Sequence, residues 1–472
     1  MQMNLFEPTA VGETGFGSVS EGALLKALSA GAGTDSANMT GGRALIPQDI
    51  ENSLVTALDA KKQDFKLMNL LKTQKVMSTI HEYTRRNDAG DYKNIFAAEG
   101  GESGATDQSI ERVVKPMKFL QTYREVTLQM QVAKTLEDAI ASEKLAGTLT
   151  ILKGAEYAMF HGDSAAVPVQ FDSVIKQILA STSRRNLVDL RGKKITDAGG
   201  EDSITEMARM VHDNGGDLSH AFMPSMIAQD FQVLARDRLR LNPADRAGAM
   251  VIEEYPTPFS NPIKISGKEA GPDKMFHLKG NVVANGDVTK RPSAPTFALT
   301  AQNLSSGGSP GFVTDDAGTY FYTVHAINEY GISDPATAAS VAVTGGKEVK
   351  ITITPGSIKG TGYIICRSKK DAVDGSDTRE MVRIADSGSS TTVYLDQNAD
   401  LPGTGEILYL SIDPVEPSIQ WDQFLPLMKF DLYPTKSAVT PFLIVLFGTP
   451  DVKVPWYHGV VKNVGYTSLG WY

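Results

Sequence analysis

Residues 131–164 read QVAKTLEDAIASEKLAGTLTILKGAEYAMFHGDS. Val132, Leu136 and Ile140 recur four apart, and Leu145, Leu149, Leu152 and Met159 continue an apolar stripe at helical spacing. No proline interrupts the run, so the spacing predicts one long helix over 131–160. Gly147 and Gly154 each weaken it by roughly 1 kcal/mol relative to alanine, without cancelling it. Roughly 28 residues at about 1.5 Å each span on the order of 42 Å, long for a globular helix. A rod of that length is a spine for other elements to lie across.

The spine runs into Ala158-Met159-Phe160-His161-Gly162-Asp163-Ser164, where Gly162 is placed to form a left-handed C-terminal cap. A loop with Pro168 follows, then Phe171-Asp172 and a second helix carrying Val174, Ile175, Ile178 and Leu179. This order of long helix, Phe160-x-Gly162-Asp163-Ser164, short proline loop and capped helix resembles the centre of tailed-phage major capsid proteins. That fold is shared with encapsulin shells and herpesvirus capsid floors. The resemblance implies an α+β fold made of an N-terminal arm, an extended loop, the spine helix, and peripheral and axial domains.

The chain has 472 residues, enough for two or three domains with cores of their own. Its 41% hydrophobic and 21% charged residues place it among soluble globular proteins. A net charge of -9 argues against a protein that coats DNA through phosphate contacts, but not against a container that encloses it. The single cysteine, Cys366, excludes an intrachain disulfide and points to synthesis in a reducing compartment. The first eight residues hold no basic segment leading into an apolar core, so no secretion signal is expected. The longest apolar run, 442–447, is far too short to cross a membrane.

Residues 1–45 are rich in Gly, Ala, Ser and Thr, which alone reads as a disordered tail. The resemblance implies instead an arm lying across neighbouring subunits. A helical segment over 46–74 starts at Pro47 and buries Ile50, Leu54 and Leu58, with Phe65, Leu67, Leu70 and Leu71 continuing the pattern. In 75–130, two extended stretches, 75–86 and 113–127, flank Ala97-Ala98-Glu99-Gly100-Gly101-Glu102-Ser103-Gly104. From the residues this is a surface hairpin with a mobile tip. The resemblance makes it the long loop that reaches over an adjacent subunit. The glutamates at the tip and the absence of G-x-x-x-x-G-K-[ST] count against phosphate binding.

The spine and peripheral domain occupy 131–182, and an axial domain of alternating helix and strand is expected over 183–290. There Ile204, Met207, Ala208 and Val211 mark a helix, His220 to Met223 a strand, and Ile227, Phe231 and Leu234 a second helix. Short strands are expected at 262–266 and 274–278. Over 291–404 the pattern becomes all β. Tyr320, Tyr322, Val324 and Ala326 alternate, as do Val349, Ile351 and Ile353, and 362–368 and 391–395 add further strands. Tyr322-x-Val324-x-Ala326-x-Asn328-x-x-Gly331 and Gly362-Tyr363-Ile364-Ile365-Cys366-Arg367-Ser368 resemble fibronectin type III and related immunoglobulin-like modules. An inserted β-sandwich is therefore expected, with few contacts crossing its Pro- and Gly-bearing ends. Residues 405–472 return as closing strands, notably 407–410 and 442–447.

No catalytic site, cofactor site or metal site emerges. His81, His161, His212, His220, His277, His325 and His458 are scattered, without H-E-x-x-H or a Cys/His ligand spacing. His161 with Asp163 reads as a helix-ending turn, Cys366 as a core residue, and no G-x-S-x-G elbow is present. The resemblance adds one chemistry, an intersubunit Lys–Asn isopeptide bond. Lys75, Lys93, Lys115 and Lys118 lie in or beside the loop and Asn463 in the closing strands, but nothing singles out a pair.

The function these resemblances imply is structural. The chain would self-assemble through large obligate interfaces, above about 2,000 Å² per contact class, into pentamers and hexamers of a phage head. It would enclose dsDNA without sequence-specific contacts, away from any membrane, with portal, scaffolding and decoration or cement proteins as partners. Its location would be the virion capsid, assembled in the host cytoplasm. Three rivals are an encapsulin-like cargo shell, a polysaccharide-active enzyme with a fibronectin-like module, and a tail-tube or adhesin protein. The second lacks a visible carboxylate pair and an aromatic cleft, and the last is mostly β, unlike a chain with a central long helix.

Overall fold

The computed structural model describes residues 65–90, 96, 99–101, 107–132, 138–181, 184–236, 254–259, 261–265, 270–271, 276, 278–305, 311–413, 417–434 and 438–471. The expected arm, the helix after Pro47, Lys93, His277 and most of the Gly-rich tip lie outside these residues. By its contacts the chain divides into two units, 1–57 with 134–138 and 58–133 with 139–472; the architecture that follows belongs to the second.

The described chain starts with α1 (Lys66–Leu70), β1 (Lys72–Lys75) and a hairpin of β2 (Ile80–Asp88) and β3 (Ser109–Pro116). Next come β4 (Lys118–Thr127), α2 (Leu128–Val132), the spine α3 (Ala139–His161) and α4 (Val174–Leu179). An α/β stretch holds β5 (Leu187–Asp189), α5 (Asp202–Asp213), β6 (His220–Pro224), α6 (Ser225–Arg236), β7 (Glu254–Tyr255), β8 (Ile263–Lys264) and β9 (Ala270–Gly271). Then the chain is all β through β10 (Asn285–Gly286), β11 (Thr296–Asn303), β12 (Gly318–Asn328), β13 (Gly331–Ile332), β14 (Ala339–Val343), β15 (Lys347–Thr354), β16 (Gly362–Ser368), β17 (Thr378–Ala385) and β18 (Thr392–Asp396). It closes with β19 (Gly405–Leu410), β20 (Ile419–Asp431), β21 (Val439–Val452) and β22 (Gly459–Val464). The fold is mixed α+β.

The spine differs from its sequence reading in two ways. It starts at Ala139, while Leu128–Val132 forms a separate short helix tied to the end of the long sheet by Leu128 N–H to Ala438 O (2.8 Å) and Gln131 to Thr440 (2.9 Å). Its buried face is also not the leucine stripe: Leu145 is 56% exposed, and the core side runs through Gly147, Ile151, Ala155 and Met159. The helix is apolar on several sides, so periodicity alone does not choose the face. Contact with the sheet chooses it. A Cβ on Gly147 would stand 2.7 Å from Ile444 Cδ1, so the glycine lets α3 lie flat on the sheet.

That sheet has the order β1–β20–β21–β4, with β1 parallel to β20 and the other pairs antiparallel. Phe442, Ile444 and Leu446 of β21 and Trp421 of β20 meet Ile151, Met159 and Phe160 of α3 in one core. Each such burial contributes about 1.5–3 kcal/mol. Gly162 does not adopt the expected left-handed cap. It is required for closeness: a Cβ there would meet Phe171 O at 2.4 Å and Ala158 O at 2.5 Å. Ser173 Oγ caps α4 by accepting from Lys176 N–H at 3.2 Å.

A second sheet, β5–β22–β19–β6–β8–β7, carries α5 and α6 on a separate core of Met207, Val211, Ile227, Phe231 and Tyr409. Strands β10 to β18 make two further sheets, β10–β13–β12–β16–β17 with β14 beside β12, and β11–β15–β18. Between them Tyr322, Val324, Tyr363, Val349, Ile351 and Ile353 are fully buried. At one end Arg367 pairs with Asp396 at 2.7 Å, and Tyr322 O–H donates to the same carboxylate at 2.8 Å.

The ends of this sandwich are not bare. Leu278 bridges Gly405, and Lys279 N–H donates to Thr404 O at 3.0 Å. Ala166 and Val167 from the loop after the spine pack on Ile327, Ile364 and Cys366. Arg383 of β17 donates to Tyr157 Oη of the spine at 3.1 Å. The expectation of few crossing contacts fails because the spine's exit loop is itself apolar and seats the sandwich.

Candidate functional site

The feature with the clearest functional content is the hairpin β2–β3. Among the described residues its strands pair only with each other, from Ile80 opposite Pro116 to Asp88 opposite Ser109. Alternation puts His81, Tyr83, Arg85, Val113 and Lys115 on one face and Ile80, Glu82, Arg112, Ile110 and Val114 on the other. The polar face is the half-buried one. Tyr83 O–H donates to Asp451 (3.3 Å), Arg85 to Lys453 O (3.1 Å) and Lys115 to Gln177 (2.7 Å). Arg85 and Arg184 also lie over the Trp456 ring, at 5.0 and 5.6 Å. The opposite face presents Ile80, Ile110 and Val114, each about half exposed, with Met77 at 79% beside them. The hairpin thus turns a polar face toward its own chain and a mixed face outward, where exposed Ile80, Ile110 and Val114 alternate with Glu82, Thr84, Arg86 and Arg112. Ion pairs Arg85–Glu111 and Arg112–Glu82 lie across its strands, one on each face.

A second apolar surface lies on the long sheet, on the side away from α3. Registers align Phe119 with Phe447 and Tyr123 with Leu443 and Phe430, and Phe119, Tyr123, Met428 and Phe430 are exposed. Phe119 and Phe447 stack edge to face at 4.8 Å. Contiguous apolar surface of this kind marks an interaction site.

No protein-family model and no curated protein matches the chain. Among solved structures the chain is similar to the capsid of a native GTA particle, at 10% identity and a TM-score of 0.45, over 92% of this chain and 100% of that one. It is similar to the holo-SrpI encapsulin complex from Synechococcus elongatus, at 12% identity and a TM-score of 0.40, over 91% and 97%. A structure from Mycobacterium phage Ogopogo is similar at 9% identity and a TM-score of 0.42, over 90% and 99%.

The residues weighed for chemistry are dispersed. His161 stacks on Tyr157 (4.3 Å), while Asp163 caps its turn by accepting from Ala165 N–H (2.8 Å) and pairs with Lys176. His325 and His458 are buried and shifted toward neutrality, His458 down to about 4 by burial. His212 lies against Phe259, His220 against Ser219, and His81 against Asp422. Cys366 is buried and its thiol is pushed up by burial. Asn463 is fixed by Asp189, Ala399 O and Leu401 N–H. Lys115 and Lys118 are occupied by Gln177 and Pro168 O, and Lys75 is exposed at the edge strand β1. The described residues hold no group of three His, Cys, Asp or Glu side chains arranged for a metal, and no helix long and apolar enough to cross a membrane.

Three buried acids, Glu156, Asp422 and Asp451, were missed from sequence. Glu156 lies fully buried in the spine and accepts from Leu67 N–H (2.8 Å) and Met68 N–H (3.1 Å), capping α1 from across the core. Burial pushes its carboxyl up to about 7, against the pull of those N–H donors. The signal was a charge inside the stripe Leu152–Glu156–Phe160. Asp422 and Asp451, buried beneath the hairpin, gave no signal of that kind.

Proposed function

We propose that the chain is a structural, non-catalytic subunit that self-assembles into a closed shell, the head of a tailed phage. The observation that carries this reading is the hairpin without a core of its own. A two-stranded hairpin is marginal alone, and this one leaves Ile80, Ile110, Val114 and Met77 exposed on its outward side for another surface to cover. A second copy is the natural occupant, because the long sheet presents a matching aromatic surface. In this reading the hairpin lies over a neighbouring subunit, subunits group as pentamers and hexamers, and residues 291–404 form an immunoglobulin-like insert on the shell. Portal, scaffolding and decoration proteins are its partners, enclosed dsDNA its content, and the virion its location, after assembly in the host cytoplasm.

Sedimentation and negative-stain microscopy of the purified chain test this. Closed particles are expected, and the hairpin strands should resist protease in particles but not in free subunits. A compact monomer at every concentration and ionic strength overturns the reading. Particles filled with a protein cargo and no nucleic acid would instead favour a cargo shell.

A further inference from the structure

Beneath the polar face of the hairpin lie Asp422 of β20 and Asp451 of β21, both fully buried. Gln420 stands opposite Asp451 and Thr449 opposite Asp422, so the two carboxylates are diagonal neighbours on one face of the sheet. Among the described residues the Oδ2 atom of each has no hydrogen-bond partner. The groups that face them come largely from the hairpin. His81 Nε2 of β2 lies 3.9 Å from Asp422 Oδ2, Tyr83 O–H donates to Asp451 Oδ1 at 3.3 Å, and Lys115 Nζ of β3 lies 3.6 Å from Asp451 Oδ1. From the sheet itself Gln420 donates to Asp422 Oδ1 at 2.6 Å, and Lys453 adds a positive charge nearby. The α4 residue Gln177 holds Lys115 in place.

We propose that this pair is a proton-operated latch: proton uptake by Asp422 and Asp451 holds the hairpin base down on the sheet, and proton release loosens it. The geometry sets the direction. With the hairpin down, the two carboxylates lie side by side in a buried site where neither Oδ2 accepts a hydrogen bond and the nearest basic nitrogens stand 3.6 and 3.9 Å away, so carrying both charges there is costly. With it lifted, water reaches both. Burial and the neighbouring Asp451 push the Asp422 carboxyl up to about 6, and burial also raises Asp451 above the usual range. The closed form therefore binds more protons than the open one. Its extra stability is complete below the ordinary carboxylate range and is lost as pH rises through about 6. Above that, Tyr83, Lys115 and Arg85 hold the hairpin without it. The latch belongs to the single chain and does not rest on the shell reading.

Hydroxyl-radical footprinting of the full-length, unassembled chain between pH 5 and 8 tests it, read at Tyr83 by mass spectrometry, with Ile110 and Val114 as always-exposed controls. Tyr83 should be protected at pH 5 and become several-fold more reactive by pH 8, with the controls flat. Asp422→Asn should give a Tyr83 profile that stays protected throughout. Asp451→Asn, which removes the repulsion, should move the midpoint to lower pH. A flat wild-type profile overturns the proposal. So does a dependence that survives in both Asn variants but disappears in His81→Gln, which would put the proton on the imidazole. If neither Asn variant folds by circular dichroism, His81→Gln decides: a retained pH dependence supports the carboxylates and a lost one overturns them.

Discussion

The hairpin over 80–116 and the sandwich over 285–396 are both built from strands, yet they are stabilised in opposite ways. The sandwich encloses Tyr322, Val324, Ile351, Ile353 and Tyr363 between its own sheets and keeps one ion pair, Arg367–Asp396, wholly inside. The hairpin encloses nothing. It fixes its polar side chains on Asp451, Lys453 O and Gln177 and turns Ile80, Ile110 and Val114 outward. Strand content therefore says little about autonomy. What matters is whether the alternating apolar face finds its partner inside the chain or outside it.

The comparison breaks most visibly at Asp396. Asp396→Ala leaves the Arg367 guanidinium buried without its carboxylate, and should destabilise the sandwich by about 3–5 kcal/mol in thermal or urea unfolding. Radical footprinting of the hairpin should be unchanged. An equal loss of protection at Tyr83 would show that the two regions are not independent.

A smaller effect is expected in the body between them. Glu156→Ala leaves Leu67 and Met68 N–H without their acceptor and should destabilise by about 1–3 kcal/mol. Glu156→Gln keeps an acceptor and cannot ionise. Because the folded carboxyl is raised to about 7, wild-type stability from this group is present at low pH and falls as pH rises through that value. The Gln variant should therefore gain on the wild type between about pH 4.5 and 7 in denaturant titrations, and no further above that. A constant gap would show that Glu156 does not change ionisation on folding.

The smallest effect on the isolated chain, and the sharpest for the comparison, is at the hairpin surface. Ile110→Thr should change unfolding free energy by no more than about 0.5 kcal/mol, as exposed substitutions do, while weakening self-association in sedimentation. A loss above about 1.5 kcal/mol would mean that the outward face already packs within its own chain.

The sequence made the spine legible as a helix but not its start or its face. Leucines at 145, 149 and 152 dominate the pattern, whereas the buried line passes through Gly147 and Ala155, residues that carry little hydrophobic signal. That line is dictated by Ile444, nearly 300 residues further on, and no local window contains it. The closing strands were readable at 407–410 and 442–447 because those residues form continuous apolar runs, the first of them wholly buried. The aspartate pair was not. Trp421-Asp422-Gln423 and Thr449-Pro450-Asp451 look like strand ends, and only the β20–β21 register brings the two carboxylates together. The hairpin's inward face was hidden for a similar reason. Its arms were readable as extended stretches, but which face points home depends on the acids it lands on.

The chain enters and leaves the sandwich side by side, with Leu278 bridged to Gly405, Lys279 N–H bonded to Thr404 O, and the buried Lys279 ammonium 3.8 Å from Asp400 and 3.7 Å from Glu406. Burial alone would lower that lysine's proton affinity, but Asp400, Glu406 and Glu380 more than reverse it, so the clasp stays charged. Mechanically, this wires the sandwich in parallel with the rest of the chain. Tension running along the backbone from residue 278 to residue 405 crosses at the clasp, and the hundred or so residues of the sandwich carry none of it until the clasp gives way.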